Sequence, residues 1–574
     1  HHQEGSEETV VIPVRKQLGL VIPYIKRYRG FLFQGILALV AAALFSAAIP
    51  FLIKLAVDSL LAGAGSRVVR IVALTGLFAL AQAALKFMAR ARILNSGREI
   101  EFGLRRDFFS HLASLPYVFF REHYRGDLIA RMMADIGNIR TMVSMVTIHF
   151  SSTITTTLLS LIVMFKLSPV ITLLSIAPLC FLFLVVGRFM GRLLRVFADI
   201  QTVNGNLSKG TNEVLSGIRV IKNYLLREEE RKRFEALSID YMKKNLAATR
   251  LWGLFLPLIG FLGGLGTLFV MWVGGYFLIR HRITLGDFIA LNTYYMMLMA
   301  PVAGLGWIFN LYQRGVASVR RVEEIYESGP ERVDGVDPGP LEGRVTFDRV
   351  TVTKGGRPIV SNVAFTVNPG EKLLILGPTG AGKTTLLNIM LGLEQDYAGS
   401  VLIDGMDIRG LSLSALRKAI ALVPQDPFLY STSVRENVFS PSDIDRLIHV
   451  VQMTDEIGRF EKGLETIVGE RGVTLSGGQK QRLTLARALS RKPRVLLLDD
   501  PFTHVDGYTQ QAIWEKMGTL LEAMTIIIVS SKPLPLPDLD RVVVLSDGSV
   551  ADQGSPDEVL LRNSYMKLFY EVRE

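Results

Sequence analysis

The sequence predicts a multidomain chain: an all-α polytopic membrane domain, six transmembrane helices with long cytoplasmic extensions, followed by an α/β P-loop domain. Three observations carry this expectation. Six apolar runs, each offering enough residues to cross a bilayer, occupy the first half of the chain. A Pro/Gly-rich stretch, Gly329–Pro340 (GPERVDGVDPGP), marks a boundary. Beyond it β-rich runs alternate with helical patterns, and one strand leads directly into a glycine-rich phosphate loop.

The totals agree. With 574 residues, 49% of them hydrophobic and 20% charged, the chain is too long for one ordinary domain. A mean hydropathy of +0.32 is too apolar for a soluble one. The net charge of +11 raises the question of nucleic acid. Its distribution argues against that partner, because much of the basic excess lies beside long apolar segments, as membrane topology requires. The single cysteine, Cys180, sits inside an apolar run, so no intrachain disulfide is available.

Residues 1–13 read as a disordered tail, 14–320 as the membrane domain, 321–340 as a linker and 341–574 as the second domain. Val14–Arg29 mixes aliphatic residues with Arg15, Lys16, Lys26, Arg27 and Arg29, the pattern of an interfacial helix on an anionic membrane surface. The spans are expected at 31–56, 70–95, 144–166, 168–190, 251–279 and 286–310. The long, Arg-rich connections 96–143 and 191–250 place themselves and both termini in the cytoplasm. Arg280-His281-Arg282 lies on the other side and runs against the rule. Helical spacing continues through the long connections, which predicts membrane helices that project into the cytoplasm. Two short pieces interrupt it, Leu115–Asp127 and Gly210–Tyr224.

Thr153, Thr155, Thr156 and Thr157 in the third span, and Tyr294, Tyr295, Met296, Met297 and Met299 in the sixth, are candidates for a transport cavity, because methionine and tyrosine suit adaptable surfaces. Helix packing explains the same residues equally well. Gly263, Gly264 and Gly266 are expected to let helices approach closely.

In the second domain, the apolar strand Lys372–Leu376 precedes Gly377, Pro378, Thr379, Gly380, Ala381, Gly382, Lys383 and Thr384, which match G-x-x-x-x-G-K-[ST]. The glycines let backbone N–H groups wrap phosphates, Lys383 neutralises them, and the Thr384 hydroxyl is placed for Mg²⁺. Thr385 extends the ATP-binding set. Downstream, Leu475, Ser476, Gly477, Gly478 and Gln479 open a helix that leads to a buried strand ending on Asp499 and Asp500. An apolar strand closed by carboxylates delivers charge to the edge where ligands bind.

With that phosphate loop, these motifs resemble the ABC transporter family, in its multidrug-exporter layout of membrane domain fused to one ATPase domain. The resemblance covers the chain from the interfacial helix onward. It implies ATP and Mg²⁺ as cofactors, with Thr384, Gln425 and Asp499 around the metal, Leu475–Gln479 as the signature, Asp506 in the D-loop, and Val468–Gly472 as the exporter X-loop. It also implies that the two short pieces are coupling helices, with Phe119, Phe120 and Tyr124 making apolar contact.

Three positions depart from the pattern. Asp500 stands where the family has a catalytic Glu, Ser531 where it has a switch His, and Lys354 where an aromatic stacks on adenine. One methylene fewer draws the carboxylate back by roughly 1.5 Å, and misplacement by about 1 Å can cost ~100-fold in rate. The expectation is a site that binds ATP and cleaves it poorly. In a family whose ATPase domains pair head to tail, this implies a second half-transporter with intact Glu and His, joined to this chain as a heterodimer. The expected function is ATP-driven export of amphipathic molecules (drugs, peptides or lipids) from an inner bacterial membrane. A lipid flippase and a non-transporting regulatory subunit stay open.

Overall fold

The computed structural model describes residues 18–563, except 333, 440–442, 470–471, 473–474, 522–523, 535 and 537. The tail 1–13, the first residues of the expected interfacial helix and part of the X-loop therefore lie outside the described residues. Two compact units emerge. One comprises the chain up to Ala113 with Arg125–Gly329; the other comprises Ser114–Tyr124 with the chain from Pro330.

In the first unit, α1 (Ile22–Arg27) is shorter than the interfacial helix expected over 14–29. Pro23 lies in its first turn, the one helical position where a missing N–H costs nothing. Among the described residues, five helices are long and apolar enough to cross a membrane: α2 (Arg29–Leu61), α3 (Gly65–Ser114), α5 (Arg125–Leu167), α6 (Pro169–Ser216) and α8 (Arg227–Ile279). The sixth expected span falls on α9 (Leu285–Tyr326), a 42-residue helix opened by a Thr284–Asp287 capping box. Two π-helical turns, Arg131–Asp135 and Met142–Val146, interrupt α5. Leu77, Leu80 and Phe87 of α3 are 61%, 71% and 76% exposed, an apolar outer face that only a lipid environment makes comfortable.

The extensions are helical, as the spacing predicts: α3, α6 and α8 run for 50, 48 and 53 residues. Phe189 of α6 stacks on Phe255 of α8 at 4.2 Å. Near the end of α9, Arg321 and Ser318 donate to the buried Asp135 of α5. Burial pushes the Asp135 carboxyl upward, but those hydrogen bonds and the guanidinium charge hold it below the usual carboxylate range. The second interruption becomes α7 (Ile218–Asn223), preceding the exposed Tyr224 and Leu225.

The second unit contains the first interruption, α4 (Tyr117–Glu122). Phe119 is buried, its ring against Phe120 and His123, whereas Tyr124 is 81% exposed. Because α9 continues to Tyr326, the linker is shorter than the expected 321–340. Part of it is pinned: Arg417 grips Glu331 with two hydrogen bonds, 2.9 and 2.6 Å.

Two sheets follow. An antiparallel one has the order β2-β1-β4-β5, from β1 (Val345–Lys354), β2 (Arg357–Val367), β4 (Ala398–Ile403) and β5 (Met406–Asp407). The other has the order β10-β9-β3-β8-β7-β6. Its strands are β3 (Lys372–Leu376), β6 (Ile420–Val423), β7 (Val495–Asp499), β8 (Thr525–Ser530), β9 (Arg541–Ser546) and β10 (Ser549–Gly554). Strands β9, β3, β8, β7 and β6 are parallel, so their C-terminal ends share one edge. Register pairs Leu376 with Ser530 and Asp499 with Val529, which brings three strand ends to one place.

Candidate functional site

The site grows from that edge. After β3, the chain turns through Gly380 and Gly382, both at φ near +90°, into α10 (Lys383–Met390). An L side chain is disfavoured at such angles. At Gly382 a Cβ would also meet the Ile359 carbonyl at 2.8 Å. The backbone thus folds into a cradle that no substituted residue would allow.

Lys383 is buried, and its Nζ donates to the carbonyls of Gly377 and Pro378 at 2.8 and 2.9 Å. Burial pushes its ammonium below the usual lysine range, while Asp500 and Asp499 pull it back up. Thr384 Oγ1 donates to Asp499 Oδ2 at 3.0 Å. Burial raises the Asp499 carboxyl, opposed by the Thr384 hydrogen bond. A hydroxyl and a carboxylate side by side at a helix N-terminus are the donors Mg²⁺ takes from protein when phosphates and water supply the rest. The residues fit ATP with Mg²⁺. Gln425 stands exposed just beyond β6, and no hydrogen bond joins it to Thr384 or Asp499 among the described residues.

Asp500 sits just past β7 with φ +45°, a left-handed conformation that Asp and Asn tolerate better than most residues. Its Oδ1 accepts from Ser530 Oγ at 3.0 Å and from the Ser531 N–H at 3.2 Å. Its carbonyl accepts from the buried Gln481 at 2.9 Å and from Thr503 Oγ1 at 3.0 Å. The carboxylate at the base position is therefore tied to the loop after β8.

Lys354, at the end of β1, forms an ion pair with Glu394. Glu394 is almost wholly buried and also accepts from Arg121 of α4 at 3.2 Å. One carboxylate thus holds the position expected to face the base together with the short helix α4. Nothing in the sequence pattern pointed to Glu394.

The signature opens α11 (Gly477–Ser490). Ser476 and Gln479 form a reciprocal capping box, 3.2 and 2.9 Å. A Cβ at Gly477 would lie 3.2 Å from the His504 ring, and one at Gly478 2.6 Å from the His504 carbonyl. Gln481 Oε1 accepts the His504 N–H at 3.3 Å, so this side chain links the signature helix, Asp500 and the segment before Asp506. Asp506 in turn accepts from the Thr509 N–H at 2.9 Å as the next helix, Gly507–Leu521, begins. Gln481 was missed from sequence because it lies just beyond the signature and belongs to no motif on its own, whereas His504 falls in the Thr503–Asp506 D-loop stretch.

The residues expected to form a transport cavity divide between helix packing and a cavity wall. Tyr294 and Tyr295 are fully buried between helices, bonded to the carbonyls of Ala47 and Gly263. Met299 fills the space over Gly263, and Tyr295 the space over Gly266, while Gly264 has no close neighbour. Thr155 donates to Ser151 of its own helix at 2.8 Å. Met297 lines a cavity of about 380 Å³ among α2, α3, α5 and α9, together with Thr153 and Thr156 of α5.

The family model described as "ABC transporter transmembrane region" matches residues 32–302, and that described as "ABC transporter" matches 360–503. A probable multidrug resistance ABC transporter ATP-binding/permease protein, YheI of Bacillus subtilis, is 30% identical over 82% of each chain. A fatty acid ABC transporter ATP-binding/permease protein of Mycobacterium tuberculosis is 30% identical over 85% of this chain and 79% of its own. Among solved structures, a bacterial Atm1-family ABC exporter with ATP bound superposes with a TM-score of 0.80. It is 24% identical, over 95% of this chain and 99% of its own.

Proposed function

The chain belongs to the ABC transporter family of ATP-hydrolysing exporters, and on that premise we propose that it is the degenerate-site half of a heterodimer. In this reading α2, α3, α5, α6, α8 and α9 make six spans, with both termini and the ATPase unit cytoplasmic, in a bacterial inner membrane. Gly377–Thr385 and Lys383 hold the phosphates of the chain's own ATP. Thr384, Asp499 and Gln425 hold Mg²⁺, which neutralises phosphate charge when bound.

The observation that carries the reading is the state of Asp500. Its carboxylate is one methylene short and accepts from Ser530 and Ser531, so it lacks the reach and freedom to take a proton from an attacking water. Ser531 offers no imidazole. Leu475–Gln479, by contrast, is an intact capped signature, which in our reading completes a site whose Glu and His belong to the partner. The exposed Tyr224 and Leu225 beside α7 suit docking on that partner's ATPase domain.

Relatives named for multidrug resistance and fatty acid transport favour amphipathic cargo. ATP-dependent uptake of labelled dye, lipid and peptide into vesicles tests this, comparing the chain alone with the chain plus a half-transporter carrying Glu and His. Uptake and hydrolysis by the pair alone are expected. A chain that hydrolyses ATP alone as fast as the pair would overturn the proposal.

A further inference from the structure

The cavity among α2, α3, α5 and α9 carries a chemistry that the nucleotide machinery does not use. On α5, His149, Ser152, Thr153 and Thr156 follow at helical spacing and so share one face toward it. Lys86 of α3 lines it from another side, and Trp307 of α9 meets the His149 ring edge-on at 4.9 Å. Arg90 lies one turn beyond Lys86. Among the described residues, the lining contains no carboxylate and Lys86 and Arg90 have no ion pair.

Basic residues near the inner ends of spans are common, and the positive-inside rule accounts for many. It does not account for a lysine turned into an interhelical space among hydroxyls and an indole. A cation in such a place is costly unless something neutralises it, and intramembrane ionisable groups mark pathways more often than packing. Met297, Pro301 and Ile308 supply the apolar remainder of the wall.

We propose that this cavity binds the anionic head of a single-chain or lipid amphiphile, a carboxylate or phosphate, with Lys86 as its counter-ion. His149 and the α5 hydroxyls donate hydrogen bonds to the head, and Trp307 with the apolar wall covers the first carbons of the tail. The volume of about 380 Å³ accommodates a head group and part of a chain. This names the substrate class for the exporter reading and rests on it.

The test uses the full chain in phosphatidylcholine nanodiscs and reads tryptophan quenching by brominated hexadecanoate, with unbrominated competitors. Hexadecanoate and hexadecyl phosphate are expected to compete, and hexadecanol and hexadecylamine to do so at least roughly tenfold more weakly, the scale of one charge-assisted hydrogen bond. Lys86→Met should weaken the acid about tenfold or more, with no change for hexadecanol, and Lys86→Arg should restore it. Trp307→Phe should remove the saturable quenching that competitors reverse, leaving the unsaturable quenching of the exposed Trp272 and Trp252 by bilayer-dissolved lipid. Competition by phosphatidylglycerol would assign the head to a lipid, and its failure beside competition by hexadecanoate would assign it to a free acid. Equal affinity for acid, alcohol and amine, or an unchanged Lys86→Met with a normal melting temperature, would overturn the proposal. Acid binding without ATP-driven uptake by the pair would instead overturn the exporter reading and leave the site standing.

Discussion

Asp500 accepts two hydrogen bonds at a backbone angle where few residues are comfortable, and its substitutions separate latch from base. Asn keeps the acceptor oxygen and tolerates the left-handed conformation. Ala loses both contacts and is strained there. Asp500→Ala is therefore expected to destabilise the ATPase unit by about 2 kcal/mol in denaturant unfolding, and Asp500→Asn by less than about 0.5 kcal/mol. At the signature, Gly477→Asp places a side chain against the His504 ring and a carboxylate where phosphate is to bind. It should abolish ATP hydrolysis by the pair while leaving fluorescent-ATP binding to the chain's own phosphate loop. The missing methylene of Asp500 was legible in the sequence, because identity alone reveals it. Its attachment to Ser530 and Ser531 was not, since that depends on β7 and β8 being neighbours.

Helix α4 is too short to be stable by itself and depends on what it docks against. Its Arg121 and the end of β1 meet at Glu394. Glu394→Gln is expected to lower the stability of this unit by about 1–3 kcal/mol. It should also weaken stimulation of ATPase by substrate more than the basal rate; equal effects on both would make the contact merely structural. Between α5 and α9, Asp135 titrates below the ordinary carboxylate range in the folded chain. A depressed acid contributes stability above its unfolded pKa and loses it as pH falls through the folded value. The membrane unit should therefore melt at a lower temperature as pH drops below about 4, and Asp135→Asn should flatten that dependence. The long helices were legible because 3.6-residue spacing persists through the charged connections. The burial of Tyr294 and Tyr295 was not, because tyrosines at a helix interface and tyrosines lining a cavity have the same spacing.

At the scale of the whole molecule, two units with separate cores carry the two halves of the family pattern. Apolar run length and the phosphate loop announced both. The ionic wall of the membrane cavity was hidden, because Lys86, His149 and Trp307 lie far apart in sequence and converge only when α3, α5 and α9 pack. The central claim concerns what no single chain contains, a division of labour between two nucleotide sites. It is tested most directly by ATP hydrolysis of the assembled pair, comparing Asp500→Asn in this chain with Glu→Gln at the corresponding position of the partner. The account predicts that Asp500→Asn stays within about twofold of the unaltered pair while the partner's substitution removes nearly all turnover. A near-total loss from Asp500→Asn would contradict it.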